Sequence, residues 1–209
     1  MSMIQELLVE GNDDLHVVMA LCQQFAIKEN FKIIDSKGID SLMRSLPVRL
    51  KGSSITRTVG VIIDADMDAD ARWQSVRQTL IKSGMYSDIP ENCPKEGLIL
   101  SPEISENVRF GLWLMPDNNT AGMLENFTTM LIPDGDQLLP IVDETLSRIE
   151  GEHLSHYSHL HHEKARIHTW LSWQETPGIP MGLAITRKYL TATPPICSAF
   201  VEWLRELFG

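Results

Sequence analysis

Residues 59–70 read VGVIIDADMDAD, an apolar run that leads directly into aspartates at every second position. The apolar part is typical of a strand that is buried on both faces of a sheet. The aspartates are Asp64, Asp66, Asp68 and Asp70. Carboxylates this close repel one another unless a positive group lies among them or they share protons. A divalent cation is the simplest such group, so the stretch predicts a buried strand that ends at a metal site.

The segments before and after this strand alternate between strand and helix patterns. A first short strand ends at Glu10 and is followed by an amphipathic helix. A second strand, FKIID, precedes a helix over 38–50 that we expect to be interrupted or ended near Pro47. The helix after the third strand is closed by Gly84. This order predicts parallel strands joined by right-handed crossovers, with ligands beyond the carboxyl ends of the strands.

The second half of the chain begins with two more predicted strands and continues with helices. The strands are GLILSP and VRFGLWLMP, divided by the turn EISEN, and a terminal amphipathic helix covers 194–209. We therefore predict one α/β domain over residues 1–209, with a Rossmann-like, mostly parallel central sheet flanked by helices. Its core covers about 1–130, and a C-terminal helical extension covers about 131–209.

Composition limits the classes of protein to which the chain can belong. Of 209 residues, 43% are hydrophobic and 22% are charged, as in ordinary soluble globular proteins. The first eleven residues lack the basic start of a signal peptide, and no apolar run reaches the length of about 20 residues that spans a membrane. Three widely spaced cysteines favour a reducing cytoplasm, so we expect a cytoplasmic protein without a membrane partner. The net charge of −10 argues against tight nucleic-acid binding by the chain alone.

Two motifs near the predicted strand ends resemble the Toprim domain, the metal-binding module of topoisomerases, primases and OLD-family nucleases. They are LLVEGNDD over 7–14 and VIIDAD over 61–66. Three later segments, GLWLMPDN, GMLENF and EKARIHTWL, look like the small stand-alone Toprim-like family catalogued as domain of unknown function 3226. The resemblance covers nearly the whole chain and implies a Toprim-like fold.

The resemblance also implies a Mg²⁺ or Mn²⁺ site, since carboxylate oxygens are the ligands that these cations prefer. Its metal ligands would be Glu10, Asp14, Asp64 and Asp66, of which Glu10 would also take part in proton transfer. Asp13 lies beside Asp14, but helical geometry favours Asp14.

Two residues of the later segments receive roles from the same resemblance. Lys164 would stabilise charge near the scissile phosphate, and Glu125 would add a further carboxylate. A solvated helix lysine is the alternative for Lys164, and an exposed residue or helix cap is the alternative for Glu125. Asp68 and Asp70 need not belong to a metal site, because negative charges also stabilise the positive end of a helix dipole at the start of the following helix.

The leading hypothesis is a Mg²⁺-dependent phosphodiesterase of Toprim type that acts on DNA or RNA. One rival is a non-catalytic Toprim-like protein that binds a partner, for example an ATPase. In the nuclease hypothesis too, a partner or a homodimer would supply the positive surface that nucleic-acid binding needs. A second rival is a receiver-like module with Asp64 as the phosphate acceptor. A topoisomerase or primase is disfavoured, because the chain lacks room for strand-passage domains and has no zinc-binding cysteine set.

Two groups of aromatic and imidazole side chains leave alternatives open. His153, His156, His159 and His162 recur every third residue within a predicted helix, which favours either a transition-metal site or a polar, pH-sensitive segment. Trp170 and Trp173 follow Lys164 and are available either for stacking on bases or for packing in the core.

Overall fold

A five-stranded sheet runs through the part of the chain that the computed structural model describes, which is residues 4–51, 56–102 and 108–209. The strands are β1 (Ile4–Val9), β2 (Lys32–Asp35), β3 (Thr56–Asp64), β4 (Leu98–Leu100) and β5 (Arg109–Met115). Their order is β2-β1-β3-β5-β4. All neighbouring pairs are parallel except β4 and β5, which are antiparallel. The predicted mostly parallel sheet is confirmed, while the predicted turn EISEN lies outside the described residues.

Helices cover both faces of this sheet. They are α1 (Asn12–Gln24), α2 (Ile39–Leu50), α3 (Ala69–Ser83), α4 (Leu124–Thr129), α5 (Leu139–Gly151), α6 (His162–Ser172), α7 (Met181–Thr186) and α8 (Pro195–Phe208). No helix within 4–51, 56–102 and 108–209 is both long enough and apolar enough to cross a membrane.

The sheet separates two hydrophobic cores. One face packs against α1 and the C-terminal helices, and it buries alternate strand residues such as Ile62 and Trp113. The other face packs against α2 and α3, and it buries Val61 and Ile63. Because successive residues of β3 from Val61 to Ile63 enter opposite cores, this part of the strand has to be apolar. This packing explains the uninterrupted apolar run before Asp64.

The terminal helix α8 lies directly on the sheet, as its apolar face predicts. Gly60 of β3 and Gly111 of β5 are register partners. A Cβ atom on Gly111 would lie 2.5 Å from Leu207 Cδ2, and one on Gly60 would lie 2.9 Å from the same atom. The paired glycines therefore form a shallow depression that receives Leu207 of α8.

Helix α2 continues through Pro47, contrary to the predicted interruption. Leu42, Leu46 and Leu50 form one fully buried stripe along the helix, whereas Pro47 is exposed. Burial of this stripe continues past the proline and holds the last turn in place. Solvent can satisfy the carbonyl group that loses its helical partner at an exposed proline.

Candidate functional site

The carboxyl ends of β1 and β3 meet at one edge of the sheet. Glu10 directly follows β1, and Asp64 is the last residue of β3. Glu10 Oε1 accepts a hydrogen bond of 2.9 Å from the backbone N–H of Asp64. The predicted proximity of these two acidic positions is confirmed.

Asp14 joins the two acids from the first turn of α1. Its side chain is buried, with 7% of the residue exposed, whereas Asp13 is exposed. Asp14 Oδ2 accepts a hydrogen bond of 3.0 Å from the backbone N–H of Gly11, which precedes the helix as its N-cap. The other oxygen, Oδ1, is buried and has no hydrogen-bond partner. A buried carboxylate oxygen without a partner is costly, so this atom is available to bind a cation.

A fourth carboxylate comes from α4. Glu125 is the second residue of this helix and is buried rather than exposed. The helix is held at the acidic edge because the backbone N–H of Leu124 donates a hydrogen bond of 2.9 Å to Asp64 Oδ1. The structure therefore places Glu125 beside the site.

Lys164 reaches the same place from α6. Its Nζ lies 3.3 Å from Glu125 Oε1, and 52% of the lysine side chain is exposed against 8% for the glutamate. Ile167 and Leu171 on the same helix are buried and fix its position. Although Lys164 is a hundred residues beyond Asp64 in the sequence, the fold brings them to one cavity.

This cavity has a volume of about 490 Å³ and opens at the carboxyl edge of the sheet, where ligands bind in parallel α/β sheets. Six carboxylates and two lysines line it: Glu10, Asp13, Asp14, Asp35, Asp64 and Glu125, with Lys37 and Lys164. Among the described residues, no three His, Cys, Asp or Glu side chains form a ready-made set of metal ligands. The features that distinguish the cavity are therefore the burial and the charge of its acids.

Burial raises the pKa values of the central acids. Desolvation, followed by the charge of Glu10, raises the pKa of Asp14 to about 7. Desolvation, followed by the charges of Asp14 and Glu10, raises the pKa of Asp64 to about 9. The pKa of Glu10 is also raised by desolvation, against the opposing hydrogen bond from Asp64. These carboxylates ionise together only when a positive charge compensates them.

Asp66 and Asp68, the next two aspartates of the 59–70 stretch, make other contacts, although the charge of Asp66 still raises the pKa of Glu10. Asp66 does not line the cavity; its side chain is half exposed and forms an ion pair with Arg72. Its backbone has a positive φ of 54° and pairs with Gly122 through two hydrogen bonds of 2.7 and 2.8 Å. Asp68 is the N-cap of α3 and accepts a hydrogen bond of 2.9 Å from the backbone N–H of Ala71. Asp64, Asp66 and Asp68 therefore have three different roles in the fold: Asp64 lines the cavity, Asp66 forms an ion pair, and Asp68 caps a helix.

Sequence reasoning missed two cavity residues at the end of β2. Asp35 is the last residue of that strand, and Lys37 Nζ lies 2.5 Å from its Oδ2. Hydrogen bonds from Lys37 lower the pKa of Asp35. The sequence does contain a signal for Asp35: it is an acid at the end of a predicted strand, as Glu10 is. The structure pairs these two strands, β2 and β1, side by side.

The histidine-rich segment does not form one helical face. Helix α5 ends at Gly151, so His153 and His156 lie between helices, and His159 begins a short 3₁₀ turn. His162 starts α6, and its Nδ1 lies 2.7 Å from Glu150 Oε1. The continuous helix predicted across these residues was wrong, because the chain breaks after α5, and the four histidines therefore do not share one helical face.

The tryptophans that follow Lys164 differ in their surroundings. Trp170 is buried in the core, and its Nε1 donates a hydrogen bond of 3.0 Å to Asp136 Oδ1. Core packing therefore accounts for Trp170. Trp173 is partly exposed, with 41% of the residue accessible to solvent.

Comparison with known proteins identifies a family but no individual relative. A family model with the description "Protein of unknown function (DUF3226)" matches residues 4–209. No curated protein and no solved structure matches the chain.

Proposed function

The chain belongs to the DUF3226 family of proteins of unknown function, and we propose that this member is a Mg²⁺- or Mn²⁺-dependent phosphodiesterase that cleaves DNA or RNA. The observation that carries the proposal is the unpartnered, buried Oδ1 of Asp14 in a cavity that also contains Glu10, Asp64 and Glu125. Carboxylate oxygens from the end of β1, from α1, from β3 and from α4 are the hard donors that a divalent cation of this kind prefers.

Glu10, Asp14 and Asp64 would hold the cation, because the charge of Glu10 raises the pKa values of both aspartates and the charge of Asp14 raises that of Asp64, which places the three carboxylates close together. Asp66, a ligand according to the resemblance to Toprim domains, would join them only if its ion pair with Arg72 opened. When bound, the cation would supply Lewis-acid activation of water and stabilise the leaving oxygen.

The other steps belong to side chains of the chain itself. Glu10 suits proton transfer, because burial raises its pKa above the ordinary value of a glutamate. Lys164 would contact the scissile phosphate and offset the negative charge that develops on its oxygens. Glu125, 3.3 Å away, would orient the lysine ammonium group.

A cleavage assay tests the proposal directly. Plasmid, single-stranded DNA and RNA are incubated with the full chain in Mg²⁺, in Mn²⁺ and in EDTA. We expect metal-dependent cleavage of at least one substrate and none by Asp64→Asn purified in parallel, which controls for contaminating nucleases. Titration calorimetry with Mg²⁺ and Mn²⁺ on both proteins measures metal binding separately.

Two outcomes would contradict the proposal in different ways. If calorimetry detects neither Mg²⁺ nor Mn²⁺ at millimolar concentration, the cavity is not a metal site. If a metal binds but no substrate is cleaved, the phosphodiesterase assignment fails. The second result would favour a non-catalytic role in binding a partner, for which the net charge of −10 is the supporting observation.

A further inference from the structure

Two lysines of the cavity have the same local arrangement. Lys164 is half exposed and contacts the nearly buried Glu125. Lys37 is 80% exposed and contacts Asp35, whose side chain is only 11% exposed. In each pair a carboxylate that is much less exposed than its lysine holds an ammonium group that still faces solvent. Among the described residues these are the cationic side chains that line the cavity.

The turn that carries Lys37 is tied to the end of β1. The backbone N–H of Ser36 donates to the Val9 carbonyl over 2.9 Å, and that of Gly38 donates to the Glu10 carbonyl over 2.8 Å. The backbone N–H of Lys37 itself donates to Asp35 Oδ1 over 2.8 Å. These bonds hold Lys37 next to Glu10, one of the residues that would bind metal. The ammonium group of Lys37, which Asp35 holds, lines the same cavity as Glu10 and is therefore placed to contact the substrate.

The space next to this lysine is open. A Cβ atom on Gly38, which follows Lys37 and also lines the cavity, would meet no atom within 4 Å. An ammonium group has three N–H donors, and a carboxylate partner leaves some of them for a further acceptor. Phosphate oxygens are strong acceptors for lysine. The surrounding acids would repel an anion everywhere in the cavity except near a cation.

We propose that Lys37 binds a second, non-scissile phosphate of the substrate, so that the site takes an oligonucleotide strand rather than a molecule with a single phosphate. This assignment rests on the proposed function, in which Lys164 contacts the scissile phosphate. Lys37 is then a positioning residue that adds affinity for the strand and does not take part in bond cleavage.

Binding measurements test this role without relying on cleavage. Fluorescein-labelled oligothymidylate and oligouridylate are titrated in Mg²⁺ with the wild type, Lys37→Met, Lys37→Arg and Lys28→Met. Lys28 is the matched control, because it is exposed and lies beyond the opposite end of α1. We expect Lys37→Met to weaken binding about tenfold, on the scale of one charge-assisted hydrogen bond. The slope of log K against log salt is negative, and its magnitude should decrease by about 0.7, whereas Lys28→Met should leave both the affinity and the slope unchanged.

Competition and kinetics separate Lys37 from Lys164. Thymidine monophosphate, which has one phosphate, should bind the wild type and Lys37→Met equally. In cleavage, Lys37→Met should raise KM with little change in kcat, Lys37→Arg should restore most of the affinity, and Lys164→Met should lower kcat. Melting temperatures and Mg²⁺ calorimetry show whether each variant is folded and binds metal.

The outcomes distinguish this inference from the proposed function. If Lys37→Met binds oligonucleotides as Lys28→Met does, or if the wild type binds neither oligonucleotide, the assignment of Lys37 is overturned even when cleavage is observed. If strand binding depends on Lys37 but no cleavage occurs, the phosphate contact is supported and the phosphodiesterase proposal fails.

Discussion

Asp14 and Asp64 hold protons more tightly than exposed aspartates, because burial and neighbouring carboxylates disfavour their charged forms. Each has an ordinary pKa of 3.8 and a higher value in the folded protein, about 7 and about 9. At pH values between the ordinary pKa of 3.8 and these raised pKa values, the folded state therefore binds more protons than the unfolded state. The stability that these protonated groups contribute is complete below about pH 4 and is lost as the pH rises through 7 and 9.

We predict that the metal-free protein loses stability between about pH 5 and about pH 8, by at least the equivalent of one pKa unit, about 1.4 kcal/mol. The Asp14→Asn variant should lose less stability over the same pH range, because the asparagine amide oxygen still accepts the hydrogen bond from Gly11 and carries no charge. Saturating Mg²⁺ should reduce the loss in the wild type by favouring the ionised carboxylates. Urea unfolding in EDTA and in Mg²⁺ measures these differences. Equal pH dependence of the wild type and Asp14→Asn would show that Asp14 does not titrate as described.

Lys164 provides a second prediction at the scale of one residue. Lys164→Met should lower turnover about 10²-fold, as expected when one electrostatic stabiliser is removed. Lys164→Arg should recover only part of the rate, since the planar guanidinium group places its charge differently. Mg²⁺ affinity should change little, because the ammonium group contacts Glu125 rather than the central acids.

Steady-state kinetics and Mg²⁺ calorimetry on Lys164→Met check this prediction. Lys82→Met is the control, because Lys82 is exposed in the last turn of α3. A turnover equal to that of Lys82→Met would remove Lys164 from the reaction and leave the carboxylates as the whole site.

At the scale of elements, contact between α8 and the sheet depends on the absence of two side chains. Gly60 and Gly111 lie side by side, and Leu207 occupies the space above them. Leu207 is fully buried and has no room to move aside. The close approach of this helix to β3 and β5 is thus specified by glycine pairing across two parallel strands.

Gly111→Ala should therefore destabilise the protein by about 1–3 kcal/mol, the usual cost of overpacking a core. Gly151→Ala is the matched control, because a Cβ atom there would meet nothing within 4 Å and alanine favours a helix. Denaturant unfolding of both variants measures the difference. Adding Leu207→Ala to Gly111→Ala should cost less than the sum of the single changes, since the new methyl group would fill space that the leucine leaves. Full additivity would show that the two residues do not share this contact.

Much of the site could be predicted from the sequence because it depends on strand order. An acid that follows a buried strand must lie at the carboxyl edge of a parallel sheet, which places Glu10 and Asp64 together. Asp66 could not be assigned in this way, because its direction depends on a positive φ and on pairing with Gly122, over fifty residues away. The break between α5 and α6 was missed for a similar reason: histidine spacing alone does not show where a helix ends.

At the scale of the whole molecule, the negative net charge of the protein disfavours binding of the proposed substrate, which is also negatively charged. The chain has 28 acidic and 18 basic residues, and the cavity itself is lined mainly by carboxylates. A nucleic-acid phosphate would approach this surface against repulsion unless a divalent cation neutralised the acids. Metal binding and strand binding are therefore expected to be coupled.

We predict that the isolated chain binds nucleic acid weakly, with dependence on both metal and salt. Labelled DNA or RNA should show no saturable binding in EDTA at physiological ionic strength, and dissociation constants in the micromolar range or above with Mg²⁺. Affinity should fall further as salt rises, because each lysine–phosphate contact releases counterions, and the small number of such contacts should keep the slope shallow. Fluorescence anisotropy with and without Mg²⁺ checks this, and light scattering shows whether a homodimer supplies further positive surface. Tight binding in EDTA at physiological salt would contradict the coupling, because it would require a basic surface that is independent of the acidic cavity.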